Sequence, residues 1–309
     1  MKKHFFPFFV LTVIATTTFS VTADEYLVIG ERYLDKGRFH EAHAAVQKAL
    51  RLNPNCTEAN FLLGVIYYHL NDTQMALERL SRAVELDGAL AEAYAWRARI
   101  FRASGEHTKA LENYNMAVYL DPGNDRFHRN RALFFYTALG DFAQALADYN
   151  RAIEIDPLNY ENFQQRGVSY AHQSLYLLAL NDLNRAIELN NRAIESFRSR
   201  GATLLRLRRF EEAKEDFDTA VRLDSSDILS FFQRGYANIR LGRHHEAVSD
   251  FTEVIQIEPN NSDAFYNRSV AYRGIAYFAY LSGELEQARY YLQRAQEDMA
   301  TANWLDSQR

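Results

Sequence analysis

The sequence predicts an all-α solenoid built from antiparallel helix pairs, and three observations carry that reading. A pattern of about 34 residues recurs from the end of the leader to the C-terminus. Small residues occupy the same slots in nearly every copy, and every copy breaks twice, once at a turn and once at a stop.

Residues 126–159 show the unit most clearly. Ala132 and Phe135 fall on one helical face, Leu139-Gly140-Asp141 interrupts the pattern, and Ala145, Tyr149 and Ala152 fall on a second face before Asp156-Pro157. The alanines let two backbones approach while Phe135 and Tyr149 fill the space between them. Pro157 has no amide hydrogen and pushes the residue before it out of helical geometry, so the second helix ends there. One such hairpin buries too little to stand alone, whereas stacked copies bury a continuous core.

In register, the small slot of the first helix is Gly30, Gly64, Ala98, Ala132, Gly167, Gly201, Gly235 and Ser269. The second helix opens on Ala42, Ala76, Ala110, Ala145, Ala179, Ala213 and Ala247, and seven residues on from each stands Ala49, Ala83, Ala117, Ala152, Ala186, Ala220 or Val254. The stop proline is present at Pro54, Pro122, Pro157 and Pro259; Gly88, Asn191 and Ser225 replace it elsewhere, and all three tolerate a turn.

These slots resemble the tetratricopeptide repeat family, whose period is about 34 residues. The resemblance implies a right-handed superhelix of eight units and sixteen helices, with units at about 24–56, 57–90, 91–124, 125–159, 160–193, 194–227, 228–261 and 262–309. One extra residue falls in the fourth unit, in the run Phe134-Phe135-Tyr136 before Leu139, and the eighth unit is longer by about seven residues in each arm, or roughly 10 Å.

Residues 1–23 read as a signal peptide: Lys2 and Lys3, the apolar run Phe5 to Ala15, then a small polar segment expected to be cleaved after Ala23. The apolar run is too short to span a bilayer. The layout predicts a bacterial protein that is periplasmic or secreted, with no membrane span after cleavage. The chain carries a net charge of −5, which loss of the two lysines makes more negative, so nucleic acid and anionic lipid are not expected partners. Cys56 is the only cysteine, which rules out an internal disulfide.

Signals for catalysis are weak. There is no glycine-rich phosphate loop, nucleophile elbow or paired-cysteine spacing, and His40 and His43 have no third ligand near them in sequence. The chain is therefore read as non-enzymatic, with no catalytic residue, no cofactor and no metal.

Aligning the repeats against one another exposes a candidate ion-pair ladder. Arginine precedes the small slot at Arg97, Arg131, Arg166, Arg200, Arg234 and Arg268, and the second helix offers Asp148, Asp182, Asp216, Asp250 and Asp298. The first two units have neither, and the third sets Arg97 opposite Asn113. Bidentate Arg–Asp contacts that fix packing register are the expected result.

The family resemblance implies protein or peptide binding on the concave surface lined by first helices. Taking the stripe beside each packing stripe gives the candidate groove residues Tyr68, Arg99, Arg102, Arg126, Arg129, Arg198, Phe232, Tyr236, Tyr266 and Arg273. Arginine mixed with aromatics suits an extended acidic segment, unless these arginines pair with Glu92, Glu161 and Glu195 on the same surface. The chaperone-binding members of the family clamp a carboxylate with lysines; here Asn130 and Asn267 match clamp positions but the lysines are absent. In the long last hairpin, Tyr277, Tyr280, Tyr290 and Tyr291 either cap the stack or form a homodimer or partner contact. The alternative function is a small-molecule or glycan-binding accessory protein of an envelope transporter or assembly system, which would require a closed pocket.

Overall fold

The computed structural model describes residues 21–308; the leader's apolar run lies outside them. Among the described residues there are sixteen α-helices and no strand. They form two compact units, one ending at Leu120 and the other starting at Asp121.

The first unit contains three helix pairs: α1 (Ala23–Asp35) with α2 (Phe39–Leu52), α3 (Thr57–His69) with α4 (Thr73–Leu86), and α5 (Ala91–Ala103) with α6 (His107–Leu120). The second contains five: α7 (Asp125–Phe134) with α8 (Phe142–Ile155), α9 (Tyr160–His172) with α10 (Tyr176–Leu189), α11 (Ile194–Arg206) with α12 (Phe210–Leu223), α13 (Ile228–Arg240) with α14 (His244–Ile257), and α15 (Ser262–Leu281) with α16 (Leu285–Ser307). Within each unit every helix packs on its neighbour in sequence, and successive first helices also touch: α1 with α3, α3 with α5, and so on from α7 to α15. This is the all-α superhelical repeat fold.

The close approach within pairs depends on the small slot. A Cβ added at Gly64 would lie 2.5 Å from the branch carbon of the fully buried Leu80, and one at Gly235 would lie 2.8 Å from the ring of the fully buried Phe251. At α1, Thr22 and Glu25 form a reciprocal cap: Thr22 Oγ1 accepts from the Glu25 amide at 3.2 Å, and the Glu25 carboxylate accepts from the Thr22 amide at 2.8 Å. Cleavage after Ala23 would remove Thr22 from this helix.

The extra residue of the fourth repeat becomes a π turn, Phe135–Leu139, closing on Gly140 in the left-handed region. The hairpin thereby absorbs an insertion without shifting the slots that follow. The last pair is long in both arms, with 20 and 23 residues in α15 and α16 against 13 and 14 in α13 and α14.

Where proline is missing between pairs, an acid or amide side chain takes its role. Asp87 Oδ1 accepts from the Ala89 amide at 2.9 Å, Asn190 Oδ1 from Arg192 at 3.0 Å, and Asp224 Oδ1 from Ser226 at 2.9 Å. Asp156, which precedes Pro157, makes the same bond to Leu158 at 3.0 Å. Each is a turn closed by the side chain two residues back, so the helix stops whether or not proline follows.

The ladder forms throughout the second unit. Arg131, Arg166, Arg200, Arg234 and Arg268 direct Nε and Nη2 to the carboxylates of Asp148, Asp182, Asp216, Asp250 and Asp298 at 2.6–3.1 Å. A further bond was not anticipated from sequence. Nη1 of Arg166, Arg200, Arg234 and Arg268 donates to Asn150, Asn184, Asp218 and Thr252, each on the second helix of the preceding pair, at 2.6, 2.8, 2.9 and 3.1 Å. One guanidinium therefore joins three helices, and it lies over a ring one turn back, at Phe163, Phe197, Phe231 and Phe265.

At Asp148 burial pushes the carboxyl up, but donors on both Arg131 and His128 outweigh it and hold the group below its ordinary value. Its contribution to stability is therefore present above the unfolded pKa of about 3.9 and is lost as pH falls through the folded value. Asp148→Asn is expected to cost about 2 kcal/mol at pH 7. In urea titrations the gap from wild type should narrow below about pH 4; a gap that widens in acid would contradict this sign. A second expectation concerns the turn residue Arg208, which lies at φ 60° where five other hairpin turns have glycine. Arg208→Gly removes a Cβ clash offset partly by unfolded-chain entropy, so thermal unfolding should show a gain of up to about 1 kcal/mol.

Candidate functional site

In the first unit the candidate residues converge. Arg99, exposed on α5, lies over the Tyr68 ring at 5.3 Å and the Trp96 ring at 5.0 Å, and these two rings meet edge to face at 5.3 Å. His69 packs against Trp96 at 5.9 Å and stacks on Phe39 at 4.7 Å; burial first, and the charge of Arg99 second, push its imidazole pKa down. Arg102 follows Arg99 by one turn and is half-buried. Neither arginine has a carboxylate within ion-pair distance among the described residues. Arg99 thus stands exposed on an aromatic base, with the guanidinium of Arg102 one turn on and neither charge paired with a carboxylate, an arrangement suited to a carboxylate beside an apolar or aromatic side chain. Sequence reading missed Trp96, which sits between the packing stripe and the groove stripe; its spacing of three from Arg99 was the available signal.

The second unit uses its candidate arginines differently. Arg129 is only 9% exposed. It donates to Asp125 at 3.1 Å, Glu161 at 2.5 Å and Asn162 at 2.6 Å, joining α7 to α9. Arg198 donates to Glu195 and, at 2.9 Å, to Asp227. At these two positions the arginines pair within the chain, with Glu161 and Glu195 among their partners. Arg126 is exposed and lies over the Phe127 ring at 5.5 Å.

Phe232 is half-buried against Phe251, with ring centroids 5.5 Å apart, and Tyr236 accepts from Arg240 at 3.1 Å. Phe232 and Arg198 line an open cavity of about 560 Å³ between α11, α13 and α15. Tyr266 and Arg273 are exposed on α15, and Arg273 borders a second open cavity, about 480 Å³, with Leu292, Met299 and Ala300 of α16. On the long hairpin Tyr277, Tyr280 and Tyr290 are exposed, as are Phe278 and Leu281. Tyr291 is instead half-buried, stacked on Tyr272 at 5.9 Å and edge-on to His245 at 6.0 Å.

His43 is held by hydrogen bonds to the Tyr67 hydroxyl at 2.9 Å and Gln47 at 3.1 Å, and burial pushes its pKa down. Among the described residues no group of three or more histidine, cysteine, aspartate or glutamate side chains could hold a metal, and no helix is long and apolar enough to cross a membrane.

The fold is shared with solved structures at low sequence identity. PilW, a widely conserved type IV pilus biogenesis factor, is 19% identical, covers 66% of this chain and 94% of its own, and superposes with a TM-score of 0.60. A tetratricopeptide repeat protein from Parabacteroides merdae is 18% identical over 81% of this chain and 98% of its own, with a TM-score of 0.60. A chain of the APC/C hetero-tetramer Cut9–Hcn1 is 17% identical over 80% of this chain and 49% of its own, with a TM-score of 0.66. No curated protein matches the sequence. Two tetratricopeptide repeat profiles match, one at residues 27–89, 70–125 and 198–264 and the other at 130–157, together more than half of the chain. With the repeated small slots, the paired helices and these matches in agreement, the chain belongs to the tetratricopeptide repeat family.

Proposed function

We propose that this protein is an exported, non-enzymatic interaction scaffold that captures an extended acidic segment on the first-helix face of its first unit. Tetratricopeptide repeats serve as protein-interaction scaffolds. The observation that carries the acidic preference is the cluster of Arg99 over Tyr68 and Trp96 with Arg102 one turn away. Arginines whose charge is already compensated, such as Arg129 and Arg198, would gain little from an incoming carboxylate. Arg99 and Arg102 stand to gain a charge-assisted pair next to an aromatic surface that excludes water on one side. The open cavities favour a segment over an enclosed small molecule, and the lysine-led leader supports export. The exposed Tyr277, Tyr280 and Tyr290 make the long hairpin a second proposed contact surface, for self-association.

The test is a crosslinking capture from envelope extract with the wild-type chain and an Arg99→Glu/Arg102→Glu variant of equal helicity. The expected result is a partner lost from the variant, corresponding to a drop in affinity of about tenfold or more. Equal capture by both would reject this face. Self-association is checked separately by sedimentation equilibrium: Tyr277→Lys/Tyr280→Lys should shift a dimer to monomer, and a wild-type chain that is already monomeric at tens of micromolar would reject the hairpin contact.

A further inference from the structure

The cavity between α11, α13 and α15 has a chemistry opposite to that of the Arg99 cluster. Its apolar floor is Ile228, Leu229 and Phe232, and Leu229 is 59% exposed, so a leucine side chain is displayed with nothing over most of it. The rim carries four carboxylates, Asp224, Asp227, Glu258 and Asp263, from two inter-pair turns and the start of α15.

The arginine on the rim, Arg198, compensates one of the four: it is bonded to Asp227, and it is shared with Glu195 from outside the cavity, so Asp224, Glu258 and Asp263 have no arginine bonded to them. Asp224 accepts from the Ser226 amide at 2.9 Å and hydroxyl at 2.7 Å, and these bonds hold its carboxyl below the ordinary range and ionised. The first turns of α13 and α15 project roughly half a positive charge each toward the site, which offsets about one carboxylate and leaves the rim negative. Asn261 donates to Glu258 at 2.8 Å, a neutral donor that does not cancel its charge. The open volume of about 560 Å³ leaves room for a long side chain and its neighbours to lie across it.

We propose that this cavity is a binding site for a lysine or arginine side chain flanked by apolar residues on an extended peptide. The proposal rests on the scaffold reading above and gives the second unit a specificity of its own. The long aliphatic stem of lysine or arginine would lie on Leu229 and Phe232 while its cationic end meets Asp263 and Glu258 at the rim. An acidic peptide would meet like charge there, a penalty rather than a weaker attraction.

The experiment uses fluorescence anisotropy with the full chain and three end-blocked heptapeptides that differ only at the centre, Leu-Lys-Leu, Leu-Gln-Leu and Leu-Glu-Leu. The lysine peptide should bind about tenfold or more tighter than the glutamate peptide, and the difference should shrink as salt rises. In Glu258→Gln/Asp263→Asn, which leaves the Asp227–Arg198 pair intact, the preference should fall to about threefold or less. Leu229→Ser should weaken all three peptides together. An equal or reversed preference, a preference that survives the double variant, or no binding of any peptide would each overturn the site. If capture through Arg99 and Arg102 persists in those cases, only this cavity is rejected; if that capture is also absent, the scaffold reading falls with it.

Discussion

The second unit depends on a guanidinium shared among three helices. A bidentate bond to the partner aspartate fixes the rotation of two helices within a pair, and the third bond, from Nη1, fixes the preceding pair relative to it. Apolar packing alone is tolerant of small slides, because Leu and Phe contacts are non-directional. A planar fork with defined donor directions is not. Burying such pairs is a poor way to gain net stability, since desolvation offsets most of the attraction, but it penalises every wrong register severely. Registry is the role best matched to a repeat stack, where each interface resembles every other and a slipped pairing would otherwise be nearly as good.

The first unit shows what happens without that device. Arg97 faces Asn113 in place of an aspartate, and both Arg97 Nε and Asn113 Oδ1 are buried without a hydrogen-bond partner. Burial accordingly pushes the Arg97 pKa down, with the Tyr94 ring beside it at 5.8 Å. Register in this unit instead follows from steric fit, with Gly30 receiving Val46 and Gly64 receiving Leu80. The ladder is a second solution laid over a fold that packing can specify without it.

Much of this was legible in sequence because each repeat serves as a control for the others. The 34-residue spacing placed every small slot, and the co-occurrence of Arg131 with Asp148 through Arg268 with Asp298 identified the within-pair bonds. The extra residue of the fourth repeat was countable, although its conversion to a π turn at Phe135–Leu139 was not. The Nη1 acceptors were harder to see because Asn150, Asn184, Asp218 and Thr252 share hydrogen-bonding ability but not residue type. The roles of Arg129 and Arg198 could not be separated from that of Arg99 by stripe position. Whether an arginine is compensated depends on Glu161 or Asn162 in the following repeat, or on Asp227 at the cap of the next first helix, and on the depth at which the guanidinium ends. The acidic cavity was missed for a related reason: its rim draws on Asp224, Glu258 and Asp263, turn and first-turn positions that a stripe drawn along first helices does not visit.

The periodic slots and the candidate binding positions therefore obey different constraints. Packing slots are fixed because a Cβ at Gly64 or a lost carboxylate at Asp182 is felt by two or three helices at once. Positions on the exposed side of first helices touch fewer neighbours, so the same register position can be Arg99 in one repeat, Val168 in another and Tyr236 in a third without loss of the fold. Departure from the repeat is thus what distinguishes the two proposed sites: among the described residues the grouping of Tyr68, Trp96 and Arg99 is not repeated, nor is an exposed leucine bordered by four carboxylates. What is repeated builds the stack, and what is not repeated is free to choose a partner.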